Sequence, residues 1–227
     1  MIDPRLGDAL CKRIEQAVRS APRLPLVVGI CGAQGSGKST LAGYLVQRLE
    51  RQGSRVATLS LDDLYKTRAE RQTMAREVHP LFATRGVPGT HDVALGKEVL
   101  AAVRAGQSGI RLPRFDKAAD DRAAQADWPV VAAPIDVLLF EGWCTAATPQ
   151  TPAALAEPVN QLEAEEDPHG TWRAHANAAL AGPYRALFDA PDYVAMLAAP
   201  GFEAVLGWRQ LQESKLRART GDRKSVV

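Results

Sequence analysis

The 227-residue sequence predicts an α/β protein, with a three-layer α/β/α fold and a mostly parallel central sheet. Short apolar runs alternate along the chain with stretches that carry apolar residues at helical spacing. Two of these runs, residues 135–141 and 193–198, are apolar at nearly every position, which is typical of parallel strands buried on both faces. Because helices are expected between the strands, neighbouring strands should run parallel.

The first predicted element is an amphipathic helix within residues 1–23, which ends before Pro22 and Pro25 because proline cannot continue a helix. A strand is expected at residues 24–30. A second helix is expected at residues 39–49, where apolar side chains again recur at helical spacing.

Further along the chain, a strand is expected at residues 55–61 and a weaker one at 110–112. Between them, Asp92 is the predicted N-cap of a helix that runs through Arg104. Gly106 is the expected C-terminal stop of that helix, because glycine readily adopts the conformation that ends one.

The stretch after residue 144 is predicted to be a surface loop, because residues 144–158 are rich in proline and threonine. The acidic run from Glu163 to Asp167 is expected to extend this loop as solvated charge. No internal repeat or low-complexity block interrupts the pattern. Residues 1–227 are therefore predicted to form a single domain.

The glycine-rich loop between the first strand and the second helix spells G-x-x-x-x-G-K-[ST], the phosphate-binding or Walker A pattern. Such a loop points backbone N–H groups and the positive end of a helix dipole at a polyphosphate. Lys38 adds a mobile positive charge, and the Ser39 hydroxyl can bind Mg²⁺. The predicted nucleotide-binding residues of the loop are Gly32, Ala33, Gln34, Gly35, Ser36, Gly37, Lys38, Ser39 and Thr40.

Carboxylates follow two predicted strands, at the strand ends where α/β sheets bind ligands. Asp62 and Asp63 come at the end of the strand candidate 55–61, and one of the pair could accept the proton of an attacking hydroxyl. Adjacent side chains point in different directions, so the other, Asp63, could instead cap a helix. Glu141 ends the apolar run 135–141, where a carboxylate needs water, a cation or Mg²⁺ as a partner.

Composition and charge argue against several other classes of protein. The chain is 46% hydrophobic and 24% charged, as is ordinary for a globular protein, and its net charge of +2 gives no electrostatic reason to expect nucleic-acid binding. Cys11, Cys31 and Cys144 are isolated, so neither a disulfide framework nor a zinc site is indicated, and a cytoplasmic location is expected. No apolar stretch approaches transmembrane length, so no membrane partner is expected.

Six motifs occur in order along the chain: residues 32–40 (GAQGSGKST), 61–65 (LDDLY), 85–92 (RGVPGTHD), 115–117 (FDK), 140–143 (FEGW) and 208–209 (WR). Together they resemble the plant-type D-glycerate 3-kinases and their bacterial relatives, which group with uridine kinase, phosphoribulokinase and bacterial pantothenate kinase. The resemblance extends from about Leu24 to Arg219. It implies a P-loop NTPase fold, ATP and Mg²⁺ as cofactors, Asp62 as catalytic base, and Glu141 beside Ser39 at the metal.

Acceptor recognition is expected around residues 85–92. Arg85 is the best candidate for binding the carboxylate of a glycerate, because a planar guanidinium can form two parallel hydrogen bonds to it. His91 could hydrogen-bond an acceptor hydroxyl or simply bond to its neighbours in the loop. Asp120 and Asp121 are expected to belong to a solvated charged loop. The predicted substrate-binding residues are Asp63, Tyr65, Arg85 and His91.

Residues 200–220 carry basic side chains in a helical stretch. The resemblance makes this stretch a helical lid over ATP, with Arg217 among the nucleotide-binding residues. A solvated basic helix is the alternative. The family pattern continues beyond this point, so the chain is expected to be C-terminally shortened relative to its relatives.

These observations predict an ATP-dependent phosphotransferase with an alcohol acceptor, D-glycerate being the first candidate. A kinase of another small alcohol, such as pantothenate or a nucleoside, remains open, as does a nucleotide-binding protein without catalysis. A GTP-dependent switch would carry an [NT]-K-x-D motif, which the sequence lacks. The residues do not determine the oligomeric state.

Overall fold

The computed structural model describes residues 4–131 and 134–220; within the last helix, the side chains of residues 212, 213 and 215–220 lie outside the description. The helices in this part of the chain are α1 Pro4–Ser20, α2 Lys38–Arg51, α3 Arg68–Glu77, α4 Val93–Arg104, α5 Gln161–Glu166, α6 Thr171–Ala181, α7 Pro183–Phe188 and α8 Phe202–Thr220. The strands are β1 Leu26–Gly32, β2 Val56–Ser60, β3 Ile110–Arg111, β4 Phe115–Asp116, β5 Asp121–Arg122, β6 Val130–Val131, β7 Val137–Gly142 and β8 Tyr193–Leu197.

The described residues form two compact units. The first unit draws them from the segments Met1–Ser60, Ala133–Thr145 and Pro191–Val227, and it contains the four long strands with α1, α2 and α8. The second unit draws them from Leu61–Ala132 and Ala146–Ala190. It contains α3 to α7 and the four short strands.

A four-stranded parallel sheet in the order β2-β7-β1-β8 forms the first unit's centre, as the sequence predicts. Every residue of β1 is buried, because β7 and β8 flank it and helices cover it. The core against the helices is built from the apolar residues Cys11, Ile14, Val28, Ile30, Leu41, Ala42, Leu45, Leu49, Val137 and Leu139. The strand register places Glu141 of β7 between Ser60 of β2 and Ile30 of β1.

The prediction that the run 193–198 is buried on both faces is wrong. In the described sheet β8 is an edge strand that pairs with β1 alone, and Tyr193, Val194 and Met196 are exposed. An apolar composition indicates a strand, but it does not distinguish an inner strand from an edge strand with exposed faces.

The second unit contains two small antiparallel sheets, β3 with β6 and β4 with β5. The weak strand predicted at residues 110–112 is therefore β3 of a separate sheet. The predicted cap of α4 is confirmed, because the Asp92 carboxylate accepts a hydrogen bond from the Leu95 amide at 3.0 Å. Gly106 follows this helix in a left-handed conformation with φ 65°.

The acidic run differs from its predicted form. Glu163, Glu165 and Glu166 lie on the short helix α5 rather than in a loop. Asp167 is 1% exposed and accepts hydrogen bonds from the backbone amides of Trp172 and Arg173 at the start of α6. The guanidinium of Arg173 also pairs with this carboxylate at 3.1 Å. Asp167 is thus a buried structural anion, because amides and a cation replace its water.

Among the described helices, none combines the length and the apolar character that crossing a bilayer requires.

Candidate functional site

The phosphate loop of the first unit connects β1 to α2 and leaves the first turn of α2 without a side-chain cap. Gly37, the residue before the helix, is left-handed with φ 92°, and Gly35 has φ 78°. These values favour glycine because a Cβ would strain the backbone. Uncapped amides at a helix start, approached through glycines, form an anion-binding geometry.

Two polar side chains of the loop are suited to binding a phosphate group. The Lys38 ammonium donates to the carbonyl oxygen of Ala33 at 3.0 Å, so the cation lies back over the loop. The Ser36 hydroxyl is buried and has no hydrogen-bond partner among the described residues. Burying a hydroxyl without a hydrogen-bond partner costs free energy, and a hydrogen bond to a phosphate oxygen would remove that cost.

Ser39 and Glu141 meet across the end of the sheet. The Ser39 hydroxyl donates to Oε1 of Glu141 at 3.0 Å, although the two residues are 102 positions apart in the chain. Both offer oxygen ligands, the type that Mg²⁺ prefers, and Mg²⁺ usually takes only one or two protein ligands beside phosphates and water. Among the described residues, no group of three or more acidic, histidine or cysteine side chains is arranged to hold a metal ion.

Helix α8 approaches the phosphate loop closely through Trp208. A Cβ added to Gly35 would lie 2.7 Å from Cβ of Trp208, which leaves no room for a side chain. The Arg217 side chain, predicted to bind the nucleotide, lies outside the described residues. The role of α8 as a lid remains a prediction.

The two adjacent acids of the second unit have different partners. Oδ2 of Asp62 accepts a hydrogen bond from the Lys117 ammonium at 2.6 Å. Asp63 accepts from the Phe115 amide at 3.2 Å and pairs with Arg114 at 3.3 Å. The Asp63 carboxylate thus holds β4 in place rather than capping a helix, and its predicted contact with substrate stays a prediction.

Arg85 pairs with Asp120, which also accepts a charged hydrogen bond from the fully buried Arg71 at 3.0 Å. Burial alone would raise the pKa of Asp120, but hydrogen bonds and charge from the two arginines outweigh it and hold the pKa below its usual range. The expectation that Asp120 is solvated is therefore wrong. Asp121 is half-buried and accepts from the Arg68 and Arg122 amides, so it too is a structural group.

His91 lies in a buried aromatic cluster. Its ring stacks on Tyr65 with centroids 4.4 Å apart, and its Nδ1 lies 2.7 Å from the Tyr184 hydroxyl. Burial lowers the pKa of His91 to about 3, although the charge of Asp62 opposes this and Lys66 adds to it. One ring nitrogen of His91 thus bonds to Tyr184, 93 residues away in the chain, rather than to neighbouring loop residues, while Nε2 has no partner among the described residues.

Sequence reasoning did not single out Arg71, Tyr184 or the Asp62–Lys117 pair. Arg71 occupies a helix position that resembles a surface position in the sequence, and the hydroxyl of Tyr184 meets His91 across 93 residues of chain. Lys117 was part of a motif, but the motif alone does not name its partner. None of these pairings has a local signal, because each depends on long-range folding.

Part of the chain matches a family model described as methylmalonyl Co-A mutase-associated GTPase MeaB, over residues 8–68. The matched residues include the phosphate loop and amount to well under half of the chain. This similarity therefore supports a nucleotide-binding core without identifying the family.

Longer similarities are to kinases. The uncharacterized kinase mug58 of Schizosaccharomyces pombe is 33% identical over 221 residues, which cover 93% of this chain and 78% of that protein. The chloroplastic D-glycerate 3-kinase of Arabidopsis thaliana is 39% identical over 150 residues, 61% of this chain but only 32% of that protein. The solved D-glycerate 3-kinase of Cryptococcus neoformans var. grubii has a TM-score of 0.81 at 28% identity, over 96% of this chain and 82% of that chain.

Proposed function

The chain belongs to the family of P-loop kinases that includes D-glycerate 3-kinase, and from this premise we propose that it transfers the γ-phosphoryl group of MgATP to a hydroxyl of D-glycerate. The observation that carries the proposal is the hydrogen bond between Ser39 and Glu141 beside the phosphate loop. It joins a phosphate cradle to a carboxylate at a strand end, which is the arrangement that phosphoryl transfer requires.

The donor side of the reaction rests on the first unit. The loop amides and the Lys38 ammonium would hold the β- and γ-phosphates, and the Ser36 hydroxyl would donate to a phosphate oxygen. Ser39 and Glu141 would hold Mg²⁺. When bound, Mg²⁺ supplies positive charge that offsets the charge developing on the phosphoryl oxygens.

We assign the acceptor side to the second unit, beginning with Asp62 as the base. This residue follows Ser60, the last residue of β2, by two positions, and strand ends of this kind bind ligands in α/β proteins. Its carboxylate would accept the proton of the acceptor hydroxyl as the oxygen attacks phosphorus. The Lys117 side chain donates to this carboxylate at 2.6 Å.

Arg85 would bind the acceptor carboxylate. Its guanidinium has five N–H donors, and the pair with Asp120 uses only its Nη1 group. The ring of Phe115 supports the guanidinium, whose carbon lies 5.4 Å from the ring centroid. Asp120 and Phe115 thus orient Arg85, so that less conformational freedom is lost when a carboxylate binds.

The experiment that tests the proposal is a product screen with MgATP and several alcohol acceptors. D-glycerate, L-glycerate, glycerol, pantothenate and uridine are incubated separately, and phosphorylated products are identified by ³¹P NMR and mass spectrometry. D-glycerate is expected to have the highest kcat/KM. A clear preference for pantothenate or uridine would replace the acceptor but retain the kinase, whereas the absence of every product despite MgATP binding would contradict catalysis.

A further inference from the structure

His91 carries a buried hydrogen-bonding atom that the fold does not use. The residue is 2% exposed, and Nε2 has no hydrogen-bond partner among the described residues. Leaving a buried polar atom unpaired costs free energy, so such an atom in a folded protein calls for an explanation. The question is whether Nε2 is a donor or an acceptor, because that decides which ligand atom it would take.

The contacts of Tyr184 answer this question. Its hydroxyl oxygen accepts hydrogen bonds from the amides of Gly89 at 2.8 Å and of His91 at 3.1 Å. Two incoming N–H groups occupy both lone pairs of that oxygen, so it has no capacity left for a hydrogen from Nδ1 of His91. The close contact of 2.7 Å to Nδ1 is therefore a bond in which Tyr184 donates. Nδ1 is unprotonated, and the ring hydrogen is on Nε2.

The surroundings keep the ring neutral and fixed. Burial lowers the pKa of His91 to about 3, so near neutral pH the ring carries a single hydrogen. The stacking on Tyr65 and the bond to Tyr184 together prevent the ring from rotating. The charged groups whose fields act on the ring are Asp62 and Lys66. The Nε2–H group is thus a neutral donor, close enough to the proposed base Asp62 for that charge to act on the ring.

We propose that His91 donates its Nε2–H to an oxygen of the acceptor substrate and that Tyr184 is the positioning residue that holds His91 in this donor form. The inference rests on the proposed function, because it concerns the acceptor of that reaction. Its chemistry suits a hydroxyl or carboxylate oxygen, both of which accept hydrogen bonds. It disfavours an ammonium group, which would place a second donor against Nε2–H.

The first test measures the tautomer without any substrate. The sequence contains four histidines, and the protein labelled with ¹⁵N-histidine is recorded at pH 6 beside the His91→Gln variant, whose missing signals identify His91. An ordinary histidine is largely protonated at this pH, whereas His91 should remain neutral with its hydrogen on Nε2. In Tyr184→Phe, this preference should weaken. A His91 ring that is charged, or that carries its hydrogen on Nδ1, would overturn the proposal.

The second test uses a matched pair of variants with D-glycerate. His91→Asn keeps a polar group near the position of Nδ1, whereas His91→Gln extends an N–H donor toward the position of Nε2. The acceptor KM should rise roughly 5- to 100-fold in His91→Asn and should partly recover in His91→Gln, while the KM for ATP stays nearly constant. Tyr184→Phe should also raise the acceptor KM, because His91 would lose the bond that holds it in the donor form.

His175→Gln is the control, because the His175 ring packs edge-on against Phe82 and no hydrogen bond among the described residues joins it to His91 or Tyr184. Equal acceptor KM values in His91→Asn, His91→Gln and wild type would refute the donor role. If the wild-type protein does not phosphorylate D-glycerate, the glycerate proposal fails. The tautomer measurement then still decides whether His91 is in the donor form. The acceptor found in the screen replaces D-glycerate in the kinetic test.

Discussion

Replacement of Arg85 tests the acceptor assignment most directly. A charge-assisted hydrogen bond contributes roughly 1.5 to 3 kcal/mol, and each 1.4 kcal/mol corresponds to a factor of ten. Arg85→Ala should therefore lower kcat/KM for D-glycerate by about 10- to 100-fold. Arg85→Lys should have an intermediate effect, because it keeps the positive charge but loses the planar pair of donors. The KM for ATP should change little.

The ion pair between Arg85 and Asp120 determines how much folding stability the Arg85→Ala variant loses. In Arg85→Ala, Asp120 keeps its hydrogen bond to Arg71 at 3.0 Å, so the carboxylate is not left unpaired. Its side chain is also 26% exposed, which lets water replace the lost partner. We therefore expect a loss of no more than about 1 kcal/mol in the free energy of unfolding, small enough for kinetics on folded protein.

The assay compares D-glycerate with glycerol, in which a neutral CH2OH group replaces the carboxylate. Steady-state kinetics for wild type, Arg85→Lys and Arg85→Ala are measured with saturating MgATP, and thermal unfolding is followed for each protein. Discrimination between the two acceptors should shrink in the order wild type, Lys, Ala. If the Ala variant keeps the full preference for D-glycerate, or loses activity equally toward both acceptors, Arg85 does not bind the carboxylate.

The remaining predictions concern the proposed catalytic groups. Lys38→Ala should lower kcat by about two to three orders of magnitude and weaken MgATP binding measured by calorimetry, and near-wild-type kinetics in the folded variant would contradict the phosphate role. Asp62→Asn should lower kcat by about two to four orders of magnitude with ATP binding retained, and stability should change little because Lys117 is exposed. If Asp63→Asn lowers kcat in this way while remaining folded, and Asp62→Asn does not, the wrong acid was chosen. Glu141→Gln should raise the Mg²⁺ concentration for half-maximal activity by about 10- to 100-fold, and an unchanged Mg²⁺ titration would make Glu141 structural.

The fold was predictable where local chemistry determines it. The phosphate loop lies between β1 and α2 as its glycines and the flanking apolar residues predict, and Asp92 caps α4 because its side chain bonds three residues ahead. These signals are contained within a few residues. The parallel sheet was also predictable, since alternating strands and helices leave little other choice.

The errors arise where a property depends on residues outside the segment itself. Asp120 and Asp167 are acidic residues in polar segments, and such segments are usually solvated. In the structure Arg71 and Arg173 cover them, at distances of 49 and 6 residues along the chain. The exposure of β8 likewise depends on whether a second strand pairs with it, and the sequence of β8 itself does not show this.

The order of the parallel sheet has a consequence for how the chain folds. The Val27 amide of β1 bonds to the Asp192 side chain, 165 residues later, and Ser39 bonds to Glu141, 102 residues later. During synthesis from the N-terminus, the apolar residues of β1 therefore emerge long before either strand that will flank them. Contacts of such long range are slow to form because the intervening chain must first be closed into a loop. The bond from Ser39 to Glu141 therefore cannot form until β7 has been synthesised, so this contact of the phosphate loop is completed late in folding.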